Sequence, residues 1–416
     1  MIRRLSPVVL PFLALAVFSA AVASAQTTIP LGSSASITLK GFVSATFFGQ
    51  DQNFVASPAP AAGGQAFTGG GFGNGQNAEF PAVPEASGDR WFWGGDVRNT
   101  RLTLAFDGPK IVNDWKVNAT VEGDFFGGFN GTGSFSGQQP DPRLRLAFVD
   151  FTNGSTTIRM GQQWAPLFGN VAVSLSHIAF PLGYGAAGDI GWRFPGIFLY
   201  QNLTPKSAPV NADLVFAVMS NNWSAPPGTT FDQNNTGNGG TPQFELRVNV
   251  GGKSGDMSWS SYVVGHWDKK DLNGPGNSGG ESLDGKALEL GAKFQIGGFL
   301  LQGNGYTGTA IGQNFGAITQ FGDIDSVGGW VQAGYEFAKT WGVYGFWGTD
   351  DPSDHDVLKF SPATARLKST MIAAMLRWKS GPLAFGLEYM GDKLRSGAVP
   401  TDTRGRQVAL SALYNF

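Results

Sequence analysis

Trp115-Lys116-Val117-Asn118-Ala119-Thr120-Val121-Glu122-Gly123-Asp124-Phe125 alternates apolar and polar side chains along its whole length. Trp115, Val117, Ala119, Val121 and Phe125 share one face, and Lys116, Asn118, Thr120, Glu122 and Asp124 share the other. A period of two is the signature of an extended strand, and its two faces here suit two solvents. One meets lipid or a core, and the other meets water.

The same pattern recurs in both directions. Ile37, Leu39, Gly41, Val43, Ala45 and Phe47 alternate with Thr38, Lys40, Ser44 and Thr46. Leu144, Leu146 and Phe148 are set opposite Arg143, Arg145 and Ala147. Val408, Leu410, Ala412, Tyr414 and Phe416 share a face at the end of the sequence. Scored in this way, the chain holds sixteen strands, near 36–48, 96–106, 114–125, 142–151, 156–164, 190–200, 210–219, 242–250, 256–267, 284–295, 298–308, 326–337, 341–349, 366–378, 382–391 and 405–416. Fourteen and eighteen are the neighbouring even counts.

The connections alternate in length. Asp107-Gly108-Pro109, Asn153-Gly154-Ser155, residues 251–255, Gly297-Gly298, Ala338-Lys339-Thr340 and Ser380-Gly381-Pro382 read as turns. Between them lie long stretches at 49–95, 126–141, 165–189, 220–241, 268–283, 309–325, 350–365 and 392–404. Tight turns at one end and long loops at the other define a transmembrane β-barrel, with the turns periplasmic and the loops extracellular. Backbone groups in lipid must be paired, so such a sheet closes on itself. The expected fold is all-β, a closed antiparallel transmembrane barrel.

Composition agrees. Glycine makes up 61 of 416 residues, aromatics 13 % and charged residues only 14 %, where a quarter charged is usual. Twelve tryptophans and 33 phenylalanines exclude a disordered chain. Arg3 and Arg4, the apolar run Leu5 to Val22 and Ala23-Ser24-Ala25 form a secretory signal peptide over 1–25. The barrel then spans 26–416. Removing the two arginines moves the formal charge from −2 to −4, which argues against nucleic acid. The absence of cysteine excludes disulfides and thiolate chemistry.

Little points to catalysis or cofactors. Gly252-Lys253-Ser254 imitates the end of a phosphate loop, but Arg247 occupies the position its first glycine requires. His177, His266 and His355 are scattered, so neither a metal site nor a triad is expected, and no cofactor. Residues 350–356 could offer oxygen ligands to calcium, or simply form a solvated loop. The 49–95 loop is read as flexible and external, or as folded over the mouth or a neighbouring subunit through Trp91, Phe92 and Trp93.

Parity places Lys40, Arg101, Lys116, Arg143, Arg145, Arg159 and Arg193 toward the lumen. A charge facing lipid at mid-depth would cost about 2–4 kcal/mol. Two readings stay open. The arginines pair with Glu122, Asp124 and other wall acids and stiffen the barrel, or part of the set stays unpaired and favours anions. The loop 165–189, with Phe168, His177 and its one acid Asp189, is long and low in charge. It is expected to fold into the lumen as a constriction.

Residues 117–127, 143–150 and Met160-Gly161-Gln162-Gln163-Trp164, with the terminal Phe416, resemble the general bacterial outer-membrane porin superfamily, and within it the DcaP-like porins. The resemblance implies a homotrimer of sixteen-stranded barrels in the Gram-negative outer membrane. It implies passage of small negatively charged solutes, with Arg143, Arg145 and the third loop lining the constriction. Phe416 resembles the terminal signal read by the barrel assembly machinery. The helical N-terminal segment of the DcaP-like porins is missing, since only Gln26 to Ala35 precede the first strand. The expected function is passive diffusion of small hydrophilic, anionic solutes. The rivals are a plugged barrel serving as receptor, adhesin or scaffold, a transporter of hydrophobic molecules, and a barrel hydrolase.

Overall fold

The computed structural model describes residues 27–51, 54–55, 75–81, 91–128, 138–205, 208–221, 241–271, 282–362 and 365–416. The expected signal peptide and much of the 49–95 loop lie outside the described residues.

Sixteen antiparallel strands form the wall. They are β1 (Ala35–Gln50), β2 in two pieces (Phe92–Asp96 and Arg101–Lys110), β3 (Lys116–Asp124), β4 (Arg143–Asn153), β5 (Thr156–Trp164), β6 (Arg193–Asn202), β7 (Val210–Met219) and β8 (Gln243–Ser254). They continue as β9 (Met257–Asp271), β10 (Ser282–Ile296), β11 (Phe299–Thr309), β12 (Asp325–Phe337), β13 (Trp341–Pro352), β14 (Arg366–Ser380), β15 (Leu383–Ser396) and β16 (Thr403–Asn415). Each pairs with its neighbours in sequence, and β16 returns to β1 in a register from Phe42↔Asn415 to Gln50↔Gln407. The barrel is closed, so its wall has no open edge.

The two-faced pattern is realised side chain by side chain. Val43, Phe47, Leu104, Val121, Ile197, Leu290, Val331, Ile372 and Leu410 stand exposed on the outside. Ser44, Thr46, Asp124, Glu245, Gln302, Gln332, Glu388 and Gln407 are buried inside. No helix is long and apolar enough to cross a membrane among the described residues, so the crossing falls to the strands.

Four details differ from the sequence reading. Strands extend past the expected turns: β2 continues through Gly108 and Pro109 to Lys110, and β8 to Ser254, because Lys110↔Lys116 and Ser254↔Met257 still pair. β2 is interrupted at 97–100, and its first piece carries Phe92 and Trp93, which were expected to anchor a loop. Trp93 instead points outward and stacks on Phe47 at 5.8 Å. A bulge lies where Glu122↔Leu146 gives way to Gly123↔Leu144, leaving Arg145 as the extra residue. Parity changes there. Phe148, expected on the face of Leu144, turns inward beneath the Arg159 guanidinium, 3.6 Å from its ring.

The acidic stretch 350–356 does not converge on a cation. Asp350 accepts from the Ser326 hydroxyl and the Ile318 amide, Asp351 pairs with Lys368, and Asp354 with Arg395. No metal-binding group of acids and histidines occurs among the described residues. Asp354–Phe360 forms a short helix, α1, whose N-cap Ser353 accepts from the Asp356 amide. Ser353, with acids in the first turn, was its sequence signal.

A further short strand, Thr27–Leu31, folds back on the foot of β1 with Thr27↔Leu39 and Leu31↔Ala35 in register.

Candidate functional site

Residues 165–192, here called L3, leave β5 and turn into the barrel. Leu167, Tyr184, Ala186, Ala187, Asp189 and Ile190 are wholly buried there. A loop with so few charges loses little by leaving water and gains apolar contact. Leu167 and Ile190 pack with Tyr262, Val264, Tyr306 and Ile311, and Leu175 packs with Leu300, Tyr344, Met375 and Leu413.

The loop has no regular hydrogen-bonded structure, so its backbone groups need partners from the wall. They find acids and amides. Glu245 accepts from the Leu167 amide at 2.7 Å, and Gln332 from Val173 at 2.7 Å. Glu388 accepts from the Ser174 and Ser176 hydroxyls and from the Leu175 and Ser176 amides. The Arg247 guanidinium donates to the carbonyls of Pro166 and Phe168. Glycine permits the closest approach. A Cβ on Gly188, whose φ is +92°, would lie 2.3 Å from the Gly329 backbone of β12.

Two other segments join L3. Residues 75–81 of the long first loop enter the lumen, where the Gln76 amide side chain donates to Ser44 and Thr46. His177 Nε2 donates to the Ala78 carbonyl at 3.0 Å. The loop 310–324, here L6, sends Phe315 to stack on Tyr184 at 4.6 Å, and Asn314 accepts from the Gly191 amide at 2.7 Å. Residues 75–81 of the 49–95 loop therefore lie inside the barrel, a third possibility beside the two expected.

Against this assembly, with Arg143 over the Phe180 ring at 5.0 Å and Arg193 over Trp192, stand the basic residues that parity identified. Arg143 donates to Asp124 through Nε and Nη2 at 3.0 and 2.7 Å. Arg145 bridges Glu122 at 2.9 Å and Asp124 at 2.7 Å. Arg101 lies 3.7 Å from Glu122. Arg193 makes no ion pair among the described residues, and its Nε and Nη1 have no hydrogen-bond partner. Its guanidinium lies over Trp164 at 4.8 Å and Trp192 at 4.3 Å. Three guanidinium groups thus share two carboxylates, and the fourth, Arg193, makes no ion pair among the described residues. A cation over an aromatic face is attracted by the negative face of the ring.

The other predicted basic residues lie apart from this group. Arg159 pairs with Asp150 at 2.7 Å, and Lys116 with Asp107 at 2.6 Å, both toward the periplasmic turns. Lys40 is exposed near the foot of β1. Side-chain exposure rises from 2 % at Arg145 to 18 % at Arg101 and 43 % at Lys116, toward the turns. Phe168 stacks on Trp164 at 3.8 Å and supports the Arg193 cradle. Asp189 is buried, and burial pushes its carboxyl well above the ordinary carboxylate range. Burial likewise lowers the His177 imidazole.

Sequence reasoning missed Arg98, Trp164, Trp192, Glu245, Arg247 and Glu388. Glu245 and Arg247 share the inward parity of β8, as Glu388 does on β15, and that signal was available. Arg98 sits in the interruption of β2, outside any alternating run, where it pairs with Asp96 at 2.6 Å.

No family model matches the chain, and no curated protein sequence matches it. Solved structures do. The outer membrane channel DcaP of Acinetobacter baumannii superposes with a TM-score of 0.66 at 16 % identity, covering 93 % of this chain and 99 % of that one. The chain has the outer-membrane porin fold. The anion-selective porin from Comamonas acidovorans matches this porin fold with a TM-score of 0.56 at 16 % identity, over 92 % of this chain and 100 % of that one. OmpF of Salmonella typhi, in complex with daunomycin, gives 0.53 at 12 % identity, over 94 % and 100 %.

Proposed function

We propose that the chain is an outer-membrane porin passing small hydrophilic solutes by diffusion and favouring anions. One observation carries this reading: Arg101, Arg143, Arg145 and Arg193 outnumber Glu122 and Asp124 on one wall. The wall acids Glu245 and Glu388 are turned to loop amides and hydroxyls, and the one acid of L3 is held toward its neutral form. A ring of uncompensated positive charge selects anions. A trimer fits the reading, since one porin-fold neighbour is OmpT of Vibrio cholerae in a trimer form.

The test is a planar-bilayer recording in a salt gradient. The expected outcome is ohmic conductance with a reversal potential on the anion side. A cation-side potential defeats the selectivity, and defeats the arginine argument with it.

The plugged-barrel reading has one observation in its favour: L3, L6 and residues 75–81 interlock through Tyr184–Phe315 and His177–Ala78. Absence of conductance from correctly folded protein would decide for it.

A further inference from the structure

The interruption of β2 at 97–100 is a closed turn. The Thr100 amide donates to the Val97 carbonyl at 3.0 Å. On the facing strand β1, the Ser44 amide donates to the Thr100 hydroxyl at 3.1 Å, and that hydroxyl donates to the Ser44 carbonyl at 3.2 Å. One side chain thus supplies the bonds that an unbroken strand would give through its backbone. The same turn places Asn99 inside the barrel, wholly buried.

Asn99 is bonded to both inserted loops. Its backbone amide donates to Gln76 Oε1 at 2.8 Å. Its side-chain Nδ2 donates to the Ser176 carbonyl at 2.9 Å, and its Oδ1 accepts from the Ala179 amide at 3.0 Å. Gln76 belongs to the first loop and is itself held by Ser44, Thr46 and, through its own amide, Asp96. Ser176 and Ala179 belong to L3. The two loops touch again at His177 and Ala78.

We propose that Asn99 is a positioning residue: it fixes the limb of L3 at 176–180 against β2, keeps Phe180 on Arg143, and thereby sets the width and the anion preference of the passage. The consequence for conduction rests on the porin reading, and the placement of the limb does not.

Chemistry singles out asparagine at this point. The Ser176 carbonyl can only accept and the Ala179 amide can only donate, so the side chain between them must offer a donor beside an acceptor. Aspartate lacks the donor, and leucine lacks both. Geometry singles out the place. Glu245, Gln302, Gln332 and Glu388 hold L3 from β8 to β15, whereas Asn99 reaches it from β2, beside the arginines. The residue after Ala179 is Phe180, whose ring packs edge-on against Phe126 at 5.1 Å and lies under the Arg143 guanidinium at 5.0 Å. Without the Asn99 side chain, a buried carbonyl and a buried amide lose their partners, and the limb gains by moving into water. Phe180 leaves with it, the passage widens, and electrolyte screens the arginines.

Two measurements test this on the full-length folded barrel. The chain has no cysteine, so one engineered thiol reports without background. Ala179 is 1 % exposed, and A179C should react slowly with a small water-soluble thiol reagent. N99L is close to asparagine in size but cannot hydrogen-bond, and it should speed the reaction of A179C about tenfold, as the loss of a buried hydrogen bond would. Q332L releases L3 from β12 at Val173 and should leave that rate unchanged. Equal rates with and without N99L overturn the proposal. So does equal acceleration by Q332L, because L3 would then loosen as one body wherever it is cut. If N99L does not fold, as judged by heat-modifiable migration, N99D removes the donor alone and should act in the same direction. This readout needs no conductance, so it stands or falls separately from the porin reading.

The second measurement is a planar-bilayer recording in a salt gradient. N99L should raise single-channel conductance and bring the reversal potential nearer to zero. Wild-type conductance and reversal potential in N99L, with the Ala179 thiol deprotected, overturn the control of width and anion preference.

Discussion

Arg193 and Asp189 lie four residues apart at the end of L3, and their surroundings treat charge in opposite ways. Arg193 lies against two indole faces, whereas burial leaves Asp189 favouring its proton. Replacing Arg193 by Gln should move the reversal potential toward cations. The stability loss should be on the order of 1–2 kcal/mol, as expected of a desolvated cation–π contact. Arg145→Ala should shift selectivity the same way but cost more, about 3–5 kcal/mol, because it strips a buried pair of its cation. Asp189→Asn should leave the reversal potential unchanged at pH values below the titration of the wild-type carboxyl, which burial raises. A carboxyl whose folded pKa is raised contributes stability below its unfolded pKa and loses it as pH rises through the folded one. Over that rise the wild type should lose anion preference and Asp189→Asn should not. At this scale the sequence was readable where alternation is unbroken: parity found Arg101, Arg143, Arg145 and Arg193. It misplaced Phe148, because a single extra residue at Arg145 reverses the faces beyond it, and no local signal marks that bulge.

Among the elements, the strands were legible and the loops were not. A strand between lipid and water declares itself in ten residues, because each side chain answers to one solvent. The path of L3 depends on partners such as Glu388, 212 residues from Ser176, and on the fit of Gly188 against Gly329. Low charge suggested that L3 turns inward, but nothing local said what holds it. Gly188→Ala should displace the loop, since its Cβ would meet backbone rather than a yielding side chain. The expected result is altered single-channel conductance with unchanged heat-modifiable folding. Glu388→Ala leaves two hydroxyls and two amides without their acceptor and should add open-channel noise. A silent Glu388→Ala would mean that the apolar contacts of Leu175 suffice.

For the molecule as a whole, stability rests on the outer apolar band and on closure. Leu290→Arg puts a charge on the lipid face and should lower unfolding free energy in vesicles by about 2–4 kcal/mol if Leu290 lies near the midplane. The anion preference should weaken as salt rises and the screening length falls to about 3 Å at 1 M. Closure itself is guarded at its seam. The lane on β1 that receives β16 ends at Gly41, where Phe416 exchanges two backbone hydrogen bonds. Gly41 takes a φ of +154°, and a Cβ there would strike the Arg101 carbonyl at 2.1 Å. Directly below, the same lane is occupied by Thr27–Leu31. That short strand behaves as a doorstop: β16 cannot slide toward the periplasm by the two residues that would keep its greasy side outward. Deleting 27–31 should therefore leave the wall intact yet admit a second, slipped seating of β16, visible as doubled amide signals at Leu410 and Tyr414.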